Sequence, residues 1–338
     1  MTTPLLDVRH LTKDYKGRRS LAQRLTGVPQ TVLRAVNDVS LSIERGEILG
    51  LIGESGCGKS TLGRAILRLH EPTSGRVTFD GTDVTALQHD ALKTMRRRMQ
   101  IIFQDPYASL NPRRTVAEIV GLPLKLHGLA ASEEEVRAKT GAMIEKVGLK
   151  ANQLDRYPHQ FSGGQRQRIG IARALISNPE FIVCDEPVSA LDVSIQAQII
   201  QLLLELKRDM GLTYLFISHD ISVIGYLSDR VAVMYLGEIV EMGPVDAVLS
   251  RPRHPYTQSL MSAVPDLDAV GHRGRVRLKG ELPSPLDPPP GCKFHTRCPL
   301  AVDRCRTAAP RPESVGDDHI AACHRLSENL SLLDEARP

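Results

Sequence analysis

The segment Gly53-Glu54-Ser55-Gly56-Cys57-Gly58-Lys59-Ser60 sets glycines, a lysine and a hydroxyl at the spacing G-x-x-x-x-G-K-[ST]. The chemistry of that spacing is the cradling of phosphate. Glycines let the backbone curl so that successive N–H groups face phosphate oxygens. A helix starting near Lys59 adds its N-terminal donors and partial positive charge. Lys59 supplies a point charge between the β- and γ-phosphates, and the Ser60 hydroxyl suits Mg2+. With Thr61 added, the whole stretch, Ser55 included, is a candidate ATP-binding loop. Its context agrees, because the apolar run Ile48-Leu49-Gly50-Leu51-Ile52 ends where the loop begins. Cys57 reads as a small space-filling residue rather than a nucleophile.

A second run, Phe181-Ile182-Val183-Cys184-Asp185-Glu186, is an apolar strand that ends in two carboxylates. A strand exit of this kind delivers Asp185 to the Mg2+ shell. Glu186 is then placed to orient and polarise an attacking water as general base. The competing reading is a strand capped by two solvated acids. The phosphate loop upstream favours the catalytic one.

These residues need a scaffold, and the pattern of runs predicts which. Leu5–Val8 and Val39–Ile43 alternate apolar and polar residues like half-buried strands. Ile48–Ile52, Phe181–Cys184 and Thr213–Ile217 are continuously apolar, as strands buried on both faces are. A helix over about Ser194 to Met210 separates the last two, with Gly211 at its C-terminal cap. Strands alternating with helices predict an α/β fold with a mainly parallel sheet. Residues 105–175 read as a helical insert, in which Ser132-Glu133-Glu134-Glu135 has the form of a capping box. After Arg251 the composition shifts, and Pro283, Pro285, Pro288, Pro289 and Pro290 mark a stiff linker.

The chain has 338 residues, room for one large domain and an appendage. No stretch approaches the roughly 20 consecutive apolar residues needed to cross a bilayer. Met1-Thr2-Thr3-Pro4-Leu5 lacks the basic start of a secretory leader, so a cytoplasmic location is expected. A net charge of +4 is too small to imply nucleic acid, and Arg96-Arg97-Arg98 reads as a solvated helix face or loop.

Phe161-Ser162-Gly163-Gly164-Gln165 resembles the signature sequence of ABC-type ATPases, with Phe in place of the commoner leading Leu. The rest of that family's set follows in order. Tyr15 resembles its adenine-stacking aromatic, Gln104 the glutamine that reaches Mg2+ and water, and His219 the histidine at the γ-phosphate. Ser189-Ala190-Leu191-Asp192 is similar to the loop that links the two nucleotide sites. The resemblance covers about residues 5–250. It implies a P-loop NTPase core over 1–250, with an antiparallel β subdomain and the helical insert, and a C-terminal extension over 251–338. It also implies that Ser162, Gly163, Gly164 and Gln165 cap ATP held by an opposite subunit, while Mg2+ is held through Ser60, Gln104 and Asp185.

Two longer segments narrow the resemblance. Gln104-Asp105-Pro106-Tyr107-Ala108-Ser109-Leu110-Asn111-Pro112-Arg113 and Arg253-His254-Pro255-Tyr256-Thr257-Gln258-Ser259-Leu260 are similar to those of oligopeptide and dipeptide importer ATPases. That branch implies a second ATP-binding subunit, a paralogue or this chain itself, beneath two membrane permease subunits. It implies an external substrate-binding protein, and a place on the cytoplasmic face of the cell membrane, held through the permeases. Nickel and glutathione importers share these segments. Soluble relatives in DNA repair carry a long coiled coil where only about 100 residues separate loop from signature here, and those in translation usually have two cassettes. A nucleotide sensor without turnover would have no use for Glu186.

Cys292, Cys298, Cys305 and Cys323 form C-x5-C-x6-C-x17-C. In a reducing compartment metal binding is the better inference than disulfides. Four thiolates suit a [4Fe–4S] cluster or tetrahedral zinc, and His295 or His324 could replace one thiolate. The resemblance to peptide-importer tails favours the cluster over zinc and over unligated thiols.

Overall fold

The computed structural model describes residues 3–17, 30–262 and 281–328. Met1 and Thr2 of the N-terminal stretch lie outside them. Among the described residues the strands are β1 (Leu6–Lys16), β2 (Val32–Ile43), β3 (Ile48–Ile52), β4 (Ser74–Phe79), β5 (Thr82–Asp83) and β6 (Met99–Ile102). They continue with β7 (Phe181–Asp185), β8 (Thr213–Ile217), β9 (Arg230–Tyr235), β10 (Glu238–Pro244), β11 (Glu313–Gly316) and β12 (His319–Ala321). The chain divides into two compact units, one of Met1–Leu6, Ile43–Ile48 and Phe79–Ser218, the other of Asp7–Ser42, Leu49–Thr78 and His219–Pro338.

In the first unit β6, β7 and β8 run parallel, with Met99 opposite Phe181 and Phe181 opposite Thr213. Every residue of β7 and β8 is buried, which is why these runs are apolar without alternation. The helix Val193–Met210 buries Ile199, Leu202, Leu203 and Leu206 and ends at Gly211, which takes the left-handed conformation with φ 66°. Each such side chain, fully buried, contributes about 1.5–3 kcal/mol.

Residues 105–175 hold the helices Pro106–Ser109, Val116–Leu126, Glu133–Lys146 and Gly163–Leu175. Thr115 and Glu118 close a complete capping box at the second of these. The box expected at Ser132 forms only by half. Ser132 accepts from the Glu135 N–H, but the Glu135 carboxylate turns to the N–H of Ala131, at 2.6 Å.

The basic run also differs from its expectation as a solvated face. It ends the helix His89–Arg98, and Arg98 joins Glu180 and Asp80, each at 2.5 Å. Arg45 reaches the same two carboxylates at 2.7 and 2.9 Å, so the run is partly drawn into a four-residue charge network.

In the second unit β3 pairs parallel to β9, and β9 turns into the antiparallel β10. β12 adds to β10 and β11 to β12, both antiparallel, so the extension supplies strands to this sheet. β11 and β12 span 4 and 3 residues, too short for a periodic pattern to betray them. The join is secured by a buried carboxyl group. Glu241, 1% exposed, accepts from the N–H of Arg253 at 2.7 Å and of His254 at 2.8 Å, and lies 2.8 Å from Nε2 of His319 on β12. β2, β1 and β4 pair in that order in a second sheet.

Candidate functional site

The second unit carries the phosphate loop. β3 is buried throughout and ends at Ile52; Lys59 opens the helix Lys59–Ile66, whose N-cap is Gly58. No side chain caps that helix, and a helix N-terminus of this kind suits an anion. Two glycines are dictated by contact. A Cβ on Gly53, with φ 153°, would lie 2.2 Å from the Met234 carbonyl oxygen, and one on Gly58, with φ 107°, 2.1 Å from that of Ala35. Gly56 and Ser55 are exposed at the turn, and Ser60 and Thr61 are half-buried in the first helical turn.

The Lys59 ammonium, 4% exposed, donates to the carbonyls of Gly53 at 2.8 Å and Glu54 at 3.0 Å. It therefore stands inside the curl of the loop. Cys57 is 1% exposed, and burial raises its pKa against the opposing pull of Lys59. The thiol stays protonated and fills space.

Tyr15 is half-buried in the same unit, its hydroxyl hydrogen-bonded to His70 Nδ1 and Lys13 Nζ standing 5.0 Å from its ring centroid. Burial, then Arg64 and Lys13, lowers the His70 pKa, which suits a neutral ring paired with a phenol. His219 is exposed just beyond β8, beside Asp220, which caps the helix Ile221–Leu227 through the N–H of Ser222 and Val223.

The first unit gathers the acidic residues. Asp185 is fully buried at the end of β7. Glu186 follows in the left-handed region, φ 47°, its N–H held by the Ile217 carbonyl at 3.1 Å. Such a backbone persists only where its surroundings over-determine it. Gln104 Nε2 donates to Glu186 Oε2 at 3.0 Å and lies 3.4 Å from Ser189 Oγ, which itself donates to the Glu186 carbonyl at 3.1 Å. The structure thus brings Gln104, Glu186 and Ser189 together. The Ser189 contact had no signal in spacing, since it closes across 85 residues.

The signature sits in this unit too. Ser162 is exposed and caps the helix Gly163–Leu175 in a complete box with Gln165. Phe161 is 4% exposed and packs into the interior of this unit. Gly164 faces the helix Val193–Met210, where a Cβ would come 2.5 Å from Cγ2 of Ile195. Asp192, exposed, precedes that helix without capping it by its side chain. Two arginines of the signature helix grip the segment after Gln104. Arg166 lies 3.9 Å from the Tyr107 ring centroid, and Arg173 donates to the Ser109 carbonyl at 2.5 Å.

Cys292, Cys298, Cys305 and Cys323 are free thiols in the second unit. Burial and then nearby sulfurs push Cys292 up to about 11 and Cys298 up to about 12, and Cys323 is raised by burial and by Cys305. Backbone N–H groups of Phe294, Leu300 and Arg325 pull the other way at Cys292, Cys298 and Cys323 respectively. Among the described residues no three His, Cys, Asp or Glu side chains are grouped to hold a metal ion. His295 and His324 are turned instead to the carbonyls of Cys292 and Ala308, both at 2.8 Å.

Residues 36–189 match the ABC transporter family, and residues 240–305 match the oligopeptide/dipeptide transporter C-terminal region. A putative peptide import ATP-binding protein of Brucella ovis is 50% identical over 323 residues, covering 96% of this chain and 98% of that one. The oligopeptide transport ATP-binding protein AppF of Bacillus subtilis is 49% identical over 326 residues, covering 96% and 98%. Among solved structures, the dimeric ATP-binding cassette MJ0796 bound to ADP and phosphate is 33% identical, with a TM-score of 0.62 over 71% of this chain and 98% of that one. The chain belongs to the family of ABC transporter ATP-binding proteins that carry the oligopeptide/dipeptide transporter C-terminal region, and it is an ATPase whose hydrolysis is coupled to transport.

Proposed function

We propose that this chain energises the uptake of oligopeptides or dipeptides through partner membrane subunits. Residues 1–250 would form the motor, with residues 105–175 as its helical arm, and residues 251–338 the extension typical of the peptide branch. The observation that carries the reading is the cluster of Gln104, Glu186 and Ser189, taken with a phosphate loop that needs its glycines. A base held by a neighbouring segment is suited to turnover rather than to sensing.

In this reading ATP lies on the N–H groups of Gly53–Thr61, with Lys59 between its terminal phosphates. Asp185, Ser60 and Gln104 hold Mg2+, Glu186 activates water, His219 touches the γ-phosphate and Tyr15 stacks on adenine. Ser162–Gln165 and Asp192 act on the site of an opposite subunit, a paralogue or a second copy. Binding pulls the two together, and hydrolysis releases them, because ATP prefers the closed pair. Two permeases and an external binding protein complete the assembly at the cytoplasmic face of the membrane. Among the described residues no helix is long and apolar enough to cross a membrane, which agrees with attachment through partners.

The test is uptake of a labelled oligopeptide into vesicles holding the permeases, this chain and its partner subunit, with nickel and glutathione as competing cargoes. Uptake that needs ATP and an intact Lys59 supports the reading; uptake of nickel or glutathione alone replaces the cargo.

The cysteine tail is proposed to hold a [4Fe–4S] cluster, with zinc the alternative. Support comes from the sulfur of Cys305, near enough to raise Cys292, Cys298 and Cys323, and from backbone N–H groups aimed at those three, the environment that tunes such centres. The four side chains must close in further, and their thiols must lose protons, for a metal to bind. A bound cluster would add one-electron redox chemistry. Protein purified without oxygen should then be brown, with about four irons per chain; a colourless, iron-free protein removes the cluster.

A further inference from the structure

Glu54 is the second residue of the phosphate loop, and each of its polar groups is held. Its N–H donates to the Tyr256 hydroxyl at 2.8 Å, and its carbonyl accepts from Lys59 Nζ at 3.0 Å. Both carboxylate oxygens lie 2.9 Å from Nη1 of Arg297. Tyr256 and Arg297 both come from beyond residue 251, inside the stretch that matches the C-terminal region of the family.

Neither partner is a surface side chain that happens to reach the loop. Tyr256 is 0% and Phe294 1% exposed, and their ring centroids lie 5.5 Å apart. Tyr235 closes the cluster at 4.7 Å from Tyr256 and 5.3 Å from Phe294. The Arg297 guanidinium carbon stands 6.0 Å from the Tyr235 centroid, and its side chain is only 9% exposed. Phe294 and Arg297 lie between Cys292 and Cys298, so the cysteine segment supplies both the packing and the charge.

A carboxylate in a loop that receives a triphosphate repels its ligand unless a cation neutralises it. Arginine is suited to this, because it stays charged at any working pH and grips a carboxylate firmly. Tyr256 adds a backbone restraint beside Gly53, where no other residue fits. The Tyr256 phenol is raised by burial and stays protonated.

We propose that Arg297 and Tyr256 are positioning residues for ATP: the C-terminal extension presets the phosphate loop by neutralising Glu54 and fixing its backbone. The extension is then a working part of the nucleotide site rather than an appendage.

The test is titration of the purified full-length chain with a fluorescent N-methylanthraniloyl ATP, alongside thermal melting. Arg297→Met exposes the Glu54 charge and should weaken ATP binding about tenfold, with a larger loss at low salt. The double variant Glu54→Gln/Arg297→Met should return affinity to within about twofold of the parent, since the repulsion is gone. Arg297→Lys should keep most of the affinity. Glu54→Gln alone leaves an extra cation by the loop and should bind ATP at least as tightly, a readout that survives if Arg297→Met does not fold. Unchanged affinity in Arg297→Met, a loss that the double variant does not recover, or weaker binding by Glu54→Gln would each overturn the proposal. A contact that merely staples the extension would lower the melting temperature in those variants and leave affinity alone.

Discussion

Gln104 donates its side-chain amide to the Glu186 carboxylate at 3.0 Å, and through Ser189 the same contact reaches the loop before Asp192. The segment that opens the helical arm is thus tied to the residue proposed to activate water.

Glu186→Gln keeps the size and a hydrogen-bonding oxygen at that position but removes the base. Phosphate release should fall by about 10²–10⁴-fold, the usual contribution of a general base, while ATP stays bound. The two readouts are a phosphate-release assay and nucleotide titration. An unchanged rate would remove Glu186 from the mechanism.

Gly164→Val sets a branched side chain where even a Cβ would stand 2.5 Å from Cγ2 of Ile195. Overpacking of this kind costs about 1–3 kcal/mol. If the signature acts on the site of an opposite subunit, as proposed above, the variant should bind ATP through its own loop yet lose hydrolysis. Parent-like turnover would show that this face of the signature does not touch the reaction.

Glu241→Leu removes the acceptor shared by two backbone N–H groups and His319. Each buried donor left unsatisfied costs about 1–3 kcal/mol, so the melting temperature should fall by several degrees. Protease digestion would show whether β11 and β12 are released first. A variant as stable as the parent would mean that water replaces the carboxylate.

Acid should weaken the first unit through Glu180. Its hydrogen bond to Arg98, with Arg45 adding to it, holds the carboxyl below its ordinary value of 4.5. A lowered folded value means that the stabilisation is complete above 4.5 and is lost as pH falls through the depressed value. Melting measured stepwise from neutral pH into acid should therefore show a smaller loss in Glu180→Gln than in the parent. Both partners are partly exposed, so screening keeps the difference small.

Much of this protein is legible in its amino-acid sequence, and for a local reason. The phosphate loop, the signature and the carboxylate pair are contiguous runs, and β3, β7 and β8 are continuous apolar stretches because both of their faces are covered. What escapes is what closes over distance. Tyr256 and Arg297 stand 202 and 243 residues from Glu54, and nothing in their neighbourhood marks them as phosphate-loop residues. Arg98 reads as a solvated charge until Asp80 and Glu180 are brought beside it by chain segments far apart in sequence. The half-formed box at Ser132 makes the same point at short range, because Glu135 had two N–H groups within reach and took the other one.

The capping box at Ser162 carries a consequence for molecular discrimination. A hydroxyl has one proton, and Ser162 Oγ already accepts from the Gln165 N–H. Its proton and its second lone pair both remain outward, so the exposed edge of the signature can donate to an acceptor oxygen and still accept from an N–H. Replacing Ser162 by alanine would erase that polarity along with the cap, whereas aspartate would keep the cap and leave acceptors alone on the outer face.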